Sequence, residues 1–510
     1  MSKLLLAATS LDVTPPPGHR LDGYAARTAP ATGTADPLRA TLIWLGTADD
    51  PGVLWLTLDA IAVGKELVAD LAAAAGAAAG IPPAHVVVSA SHTHSGPSGW
   101  TGEIHPVIPA EREPELADAL IAAVANASLP RRPVTASWRS IEVVGVGANR
   151  HRKNGPHDNT AGILALHSSG GSLEAVLFDF ACHPTTYGPE NLQWSADWPG
   201  AARDALAPAV VGFLQGAAGD VSPRFTRRGR GAAEVARLGG LLASRVREAL
   251  GGPGLELPQS APAIRRTTIT LPVRDMPAPE EAASTVAAAA TAVRNGLHTT
   301  PTPDTPTALH TPPTDPYAGL RTGLGNATGG TLGGAADPST GAFGAVDDAT
   351  GGLGGADGPS TGAPGGANGA SGGAGGGVGD SSGGVLGGVL GGVDDPSGRI
   401  ALTRLDGARG QSLMAAADLP DQLELPISVV TLGDVCWVNL PVELFALHGA
   451  CLQADSTHPI TRVIGYTDGY YGYIVDPSAA ESGAYEALIT FFDQPTTNTL
   501  LTRTATFINT

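Results

Sequence analysis

The chain has 510 residues, 42% of them hydrophobic, and carries a formal net charge of −18 at pH 7. That length supports a large buried core, and that charge repels nucleic acid and anionic lipid headgroups without forbidding one local basic pocket. The apolar runs are short and broken by charge or glycine, which excludes a membrane-spanning helix and stable membrane insertion.

The first residues, MSKLLLAATSLDVTPPPGHR, alternate like a strand and then meet a proline cluster. No signal peptide is expected there, and a soluble, cytoplasmic protein is. RATLIWLGT and VLWLTLDAIAV read as neighbouring strands. ELVADLAAAAGAAAG reads as a helix closed by Gly80 and the prolines after it. HVVVSASH is the next strand, EREPELADALIAAVANA a second helix, GILALHS and EAVLFDFAC a hairpin, and GAAEVARLGGLLASRVREAL a third helix. This mixture predicts an α/β (mixed) fold, with mixed β-sheets covered by α-helices.

The pattern changes near Met276. One alanine-rich helix, EEAASTVAAAATAVRNG, is followed by a Pro/Thr run and a long Gly/Ala/Ser/Asp tract. Such a stretch has too few large apolar side chains to offset its ordering entropy. Residues 276–424 are therefore expected to be a long, mostly disordered Gly-rich insertion between 1–275 and 425–510. Order is expected again at LPISVVTLGDVCWVNLPVELFALHG, a hairpin turning at Gly433-Asp434 and leading into a helix. Five of the eight tyrosines then cluster between Tyr466 and Tyr485. Phe or Leu would fill a core without a hydroxyl, so the phenols point to a site. Cys182, Cys436 and Cys451 form no CxxC pair, which suits a reducing compartment.

Several short stretches could carry chemistry. His92 and His94, in SASHTHSGP, are two residues apart at a strand end, so both imidazoles can share a face. A hydrogen-bonded pair and a metal site both fit that spacing. His183 ends another strand in DFACHPTTYG. QGAAGDVSP surrounds Asp220 and Ser222 with small residues that let the backbone approach a ligand. Glu443 follows an apolar strand, where a carboxylate needs a cation, an amide or a metal as partner.

Together, in this order, these stretches resemble the catalytic domain of the neutral/alkaline ceramidases, zinc-dependent amidases that cleave the N-acyl bond of ceramide. DVTPPPGHRLDGYA, SASHTHSGP, GANRH, FACHPTTYG, QGAAGDVSP, LPISVVTLGDVCWVNLPVELFALHG and GYTDGYYGYIVDP carry the resemblance. It implies Zn²⁺ held by His92, His183, Glu443 and Tyr473, with Tyr470 as the competitor for the last place. It implies a polar helper at His94 and a nucleophile at Ser222, on a loop oriented by Asp220. Arg150 and Tyr485 would hold the substrate oxygen. An N-acyl lipid or small amide is the implied partner, with oligomeric state undetermined. Attack by Ser222 or by a zinc-bound water both satisfy the pattern. The chain departs from the family at Arg224, where a small polar residue is usual. Neither the C-terminal β-sandwich domain of the family's full-length members nor the export signal typical of its characterised members is expected from these 510 residues.

Overall fold

A computed structural model describes residues 3–24, 26–101, 105–107, 112–152, 154–296 and 396–510. The Gly-rich tract expected to be disordered lies outside the described residues. Residues before and after it belong to one compact unit.

The larger sheet has nine strands. Its main path uses β1 (Leu5–Asp12), β2 (Arg39–Gly46), β3 (Val53–Leu58), β4 (Val86–Ala90), β5 (Arg132–Glu142), β6 (Thr160–Ser168), β7 (Leu173–Phe180) and β8 (Val210–Gln215). Their spatial order is β8-β7-β6-β5-β1-β2-β3-β4, with Leu255–Glu256 paired onto β5. A second sheet holds β9 (Ala263–Pro272), β10 (Gln422–Leu432), β11 (Val435–Asn439) and β12 (Ile460–Ile464), in that order.

Within these two sheets most neighbours are antiparallel, but three pairs are parallel, and these decide where the site lies. Leu58 of β3 stands opposite Ala90 of β4. Phe180 of β7 stands opposite Gln215 of β8. Asn439 of β11 stands opposite Ile464 of β12. Each pair delivers two C-terminal ends to one edge, where open α/β sheets present their binding crevices. Isolated bridges Gly216–Ile464 and Ser89–Thr467 join the pairs there. The sheets meet over a core in which Trp437 packs edge-on against Trp55 and Trp138, with ring centroids 5.8 and 5.5 Å apart. Each such pair contributes about 1 kcal/mol beyond its burial. Two arginines tie the sheets further: Arg462 of β12 pairs with Asp179 of β7, and Arg266 of β9 donates Nη2 to the Val86 carbonyl of β4.

Helices α1 (Lys65–Ala79) and α2 (Pro114–Ala125) cover the β3–β4 side. Gly80 adopts φ 66° and caps α1, as its sequence position predicts. Helices α3 (Asp197–Ala205) and α4 (Ala232–Gly251) cover β7 and β8. The mixed α/β architecture read from the sequence is the one observed. No helix among the described residues is long and apolar enough to cross a membrane.

The range assigned to the insertion contains more regular structure than its composition implies. Helix α5 (Pro279–Gly296) is the alanine-rich helix expected there, and it packs against α6 (Pro396–Ala416). Two glycines of α6 are contact points. A Cβ on Gly407 would lie 2.8 Å from Leu488 Cδ1, and one on Gly410 would lie 2.5 Å from Ile489 Cγ2. Glycine here lets a helix approach the Tyr485–Ile489 turn, so α6 supports the segment that carries Tyr485.

Candidate metal centre

The site is built from the residues that follow the three parallel pairs. After β4 the chain turns sharply at His92, whose φ is +65°. A residue other than glycine seldom adopts that conformation, which costs about 1–2 kcal/mol. His92 N donates to the Ala60 carbonyl at 2.8 Å, which holds the turn. After β7, His183 is held by its own N–H on the Val221 carbonyl at 2.9 Å. One residue ties these loops together. Gln215, fully buried at the end of β8, donates Nε2 to the Ser91 and Cys182 carbonyls at 3.1 and 2.9 Å. Its Oε1 accepts from Cys182 N at 3.1 Å.

All three imidazoles are oriented alike. Nδ1 of His92 lies 2.7 Å from the Ile61 carbonyl, Nδ1 of His94 lies 2.9 Å from that of Gly23, and Nδ1 of His183 lies 2.8 Å from that of Ala218. A carbonyl only accepts, so each Nδ1 carries the proton and each Nε2 presents a lone pair to the centre. The ligating atoms of the three rings lie within 4.8 Å of one another. Glu443 completes the cluster, with Oε2 3.3 Å from His92 Nε2 and 3.2 Å from His183 Nε2.

Burial, with the Arg150 guanidinium and His92 beside it, pushes His183 down to about 4. Burial and the neighbouring His92 and His183 push His94 well below its ordinary value. Burial alone would raise Glu443, but the adjacent His92 and His183 hold its carboxyl well below the usual range. Neutral nitrogen lone pairs facing a carboxylate in a dry pocket are a donor set for a borderline divalent cation. This buried histidine group could therefore hold a metal ion.

The phenols surround Glu443. Tyr470 OH donates to Glu443 Oε1, and Tyr466 OH donates to Oε2 at 3.3 Å. The Tyr466 ring also covers His92, with centroids 4.1 Å apart. Tyr473 is placed beside Glu443 by a two-residue parallel pairing of Glu443–Leu444 with Tyr473–Ile474. Its OH accepts from Arg150 Nη2 at 3.4 Å. Tyr485 packs edge-on to Tyr473 at 6.4 Å. Burial, followed by the Glu443 charge, raises the Tyr466, Tyr470 and Tyr473 hydroxyls well above the ordinary range.

Ser222 is buried next to Val221, whose carbonyl holds His183. It pairs with Ala148 in a short antiparallel bridge, and its Oγ accepts from Arg224 N at 3.3 Å. Asp220 fixes this loop. Its Oδ1 accepts from Ala446 N at 2.8 Å, its Oδ2 from Asn149 Nδ2 at 2.6 Å, and its carbonyl from Arg150 N at 2.7 Å. Burial pushes the Asp220 carboxyl up to about 6. Arg150, which follows the Ala148–Asn149 strand paired with this loop, reaches into the cluster, with Nη1 3.2 Å from His183 Nε2.

Four functional residues escape sequence reasoning. Gln215 holds the two histidine loops. Glu486 is buried, receives Arg150 Nε at 2.8 Å and sits 3.1 Å from His151 Nε2. Gly23 takes φ +100°, and a Cβ there would lie 2.6 Å from His94. Arg27 donates Nη1 to the carbonyls of Asp22 and His94, both at 2.8 Å. Of these only Glu486 has a local signal, a carboxylate inside the apolar run AYEALITFF.

Fold and site together define a mixed α/β protein with a buried histidine–carboxylate cluster at converging strand ends that could hold a metal ion. No protein-family model and no curated protein sequence matches the chain. Solved structures do. The crystal structure of neutral ceramidase from Pseudomonas aeruginosa matches with a TM-score of 0.63 at 15% identity, over 99% of this chain and 74% of that one. A ceramidase complexed with C2 matches with a TM-score of 0.62 at 14% identity, over the same shares. The chain has the neutral ceramidase fold, as its motifs predict.

Proposed function

We propose that this chain is a zinc-dependent amidohydrolase cleaving the N-acyl bond of ceramide or a related N-acyl lipid. The observation that carries the reading is the convergence of His92 and His183 Nε2 on Glu443 Oε2, within 3.3 Å, with both Nδ1 atoms anchored on carbonyls. The likeness of fold to ceramidases supports it.

In this reading His92, His183, Glu443 and Tyr473 hold the metal, and His94 stands beside it as a neutral helper. Zinc so held would supply Lewis-acid polarisation of the amide carbonyl and acidify a nearby hydroxyl. Arg150 and Tyr485 steady the carbonyl oxygen as it gains charge, each donor contributing about 3 kcal/mol. Ser222 Oγ attacks the carbonyl carbon, the C–N bond breaks, and the amine leaves with the hydroxyl proton. Water then cleaves the acyl ester, so one water is consumed per amide and a fatty acid and an amine are released. Asp220 keeps the serine loop against Arg150 and α7 (Ala446–Asp455).

The test is metal content together with turnover. The purified chain should carry about one zinc and release fatty acid from an N-acyl amide. His183→Ala should lose the metal and the activity together. Metal-free protein with full amidase activity would end the proposal.

A further inference from the structure

Seven of the chain's thirty lysines and arginines fall in two short segments, 150–153 and 224–230, which contain no acidic residue. On a chain of net charge −18 this is a concentrated positive region, and the fold puts its arginines near the site. The Ser222–Gly231 loop runs round the metal cluster. Arg224 donates Nη1 to the Arg150 carbonyl at 3.4 Å. Thr226 Oγ1 donates to the Val146 carbonyl at 2.6 Å. Arg227 donates Nη1 to the carbonyl of Thr185, two residues past His183, at 3.1 Å. At its end a Cβ on Gly231 would touch Tyr187 at 4.0 Å. Tyr187 in turn accepts from the Tyr24 hydroxyl, and the Tyr24 ring packs 5.0 Å from that of His94.

Some of this charge is offset. Arg150 pairs with Glu486, and Arg152 stands 3.7 Å from Asp476. Glu234 is taken up by Arg237 and by the backbone of Arg228. Glu190 borders Arg230 beside Gly188. These carboxylates confine the positive region to a rim. Arg228 and Arg230 are exposed on it, and Phe225 between the arginines is 56% exposed. A bilayer would meet the bordering acids as well as the arginines; a single anionic group would meet only the rim. An exposed phenylalanine beside it suits a ligand that is also apolar.

We propose that the arginine loop is an anion-binding rim, and that the preferred amide carries a negative group, a carboxylate or a phosphate, beside its acyl chain. The inference rests on the amidase reading and refines its substrate. It also gives a role to Arg224, which stands where the ceramidases usually carry a small polar residue. An anionic headgroup would be drawn to the rim, and a neutral one would not.

The experiment compares N-decanoylglycine with N-decanoylethanolamine, which share an acyl chain and differ in charge. The wild-type chain should show kcat/KM about tenfold higher for the glycine amide. That advantage should shrink as salt rises from about 0.05 to about 0.5 M. Charge reversal in R228E/R230E should lower kcat/KM for the glycine amide at least about tenfold and change the ethanolamide less than about twofold. R228Q/R230Q should fall between, and thermal melting should show both variants folded. Equal rates for the two amides, or equal losses in the variants, would overturn the proposal. So would acceleration of the neutral amide by phosphatidylglycerol vesicles, lost on charge reversal, with no preference between the soluble amides; the rim would then serve an interface. Calorimetry with N-decanoylglycine separates this inference from the amidase reading. Binding to the wild type that charge reversal abolishes, without turnover of either amide, would leave the rim standing and remove the amidase. Neither binding nor turnover would remove both.

Discussion

Gln215→Met tests whether the two histidine loops are set by one buried side chain. Methionine keeps the length of glutamine and fills a similar space, but it neither donates nor accepts as an amide does. The substitution removes three hydrogen bonds, to Ser91 O, Cys182 O and Cys182 N. All three partners lie in the buried interior, and each group left without a bond costs about 1–3 kcal/mol. Even at the low end the sum is about 3 kcal/mol, a large share of the stability of an ordinary protein. The same bonds hold the residues next to His92 and His183, so zinc affinity should fall about 10–100-fold, as it does when a supporting bond to a metal ligand is lost. Differential scanning calorimetry should show a melting point several degrees lower, and a competitive chelator titration should show the weaker metal. A melting point within a degree of wild type together with unchanged zinc affinity would refute the reasoning. The loops would then be held by their backbone pairing alone.

Ser222→Ala should keep its zinc while amide turnover falls at least about a hundredfold; near-normal turnover would assign the attack to a water. Gly23→Ala forces a side chain into a backbone with φ +100° and against His94. It should cost about 2 kcal/mol or more and weaken zinc binding, read by the same chelator titration. Glu486→Gln removes the charged partner of Arg150. It should destabilise by about 3 kcal/mol and lower kcat/KM about a hundredfold, with metal content unchanged. Burial alone would raise the Glu486 carboxyl, but Arg150 and His151 hold it down to about 2, against an ordinary 4.5. Its stabilisation is therefore complete above 4.5 and is lost as pH falls toward 2. The gap in urea midpoint between wild type and Glu486→Gln should narrow below pH 4.5, and a constant gap would contradict the ion-pair account.

The elements and most of the proposed ligands were legible because they are local. A strand ending in Ser-His-Thr-His, a strand ending in Cys-His-Pro and a carboxylate after VCWVNLP each stand out within ten residues. The structure brings His92, His94, His183 and Glu443 together, with Tyr473 and Arg150 against them. What was not legible depends on partners far away in the chain. Gln215 looks like any residue at the end of an apolar strand until Ser91 is placed 124 positions before it. Glu486 meets Arg150 across 336 positions. Tyr466 and Tyr470 read as members of a cluster, but sequence spacing did not show that both would bond Glu443. Helix α6 was absorbed into the Gly-rich range because glycine lowers helix propensity by about 1 kcal/mol per residue. Its glycines are kept by the contact with Leu488 and Ile489, a tertiary term that propensity does not contain.

The same long-range logic explains why the site can be both dispersed and rigid. Each ligand-bearing loop begins immediately after a parallel strand pair, so its starting position is set by sheet register. The pairs are then locked to one another at their ends by Gln215, by the Gly216–Ile464 and Ser89–Thr467 bridges, and by Asp468, whose carboxylate accepts from Val88 N at 2.9 Å. His92, His183 and Glu443 therefore reach their spacing only when residues before and after the Gly-rich tract are docked together. Metal bound there would draw on contacts from both parts of the chain, and its binding energy would add to that docking.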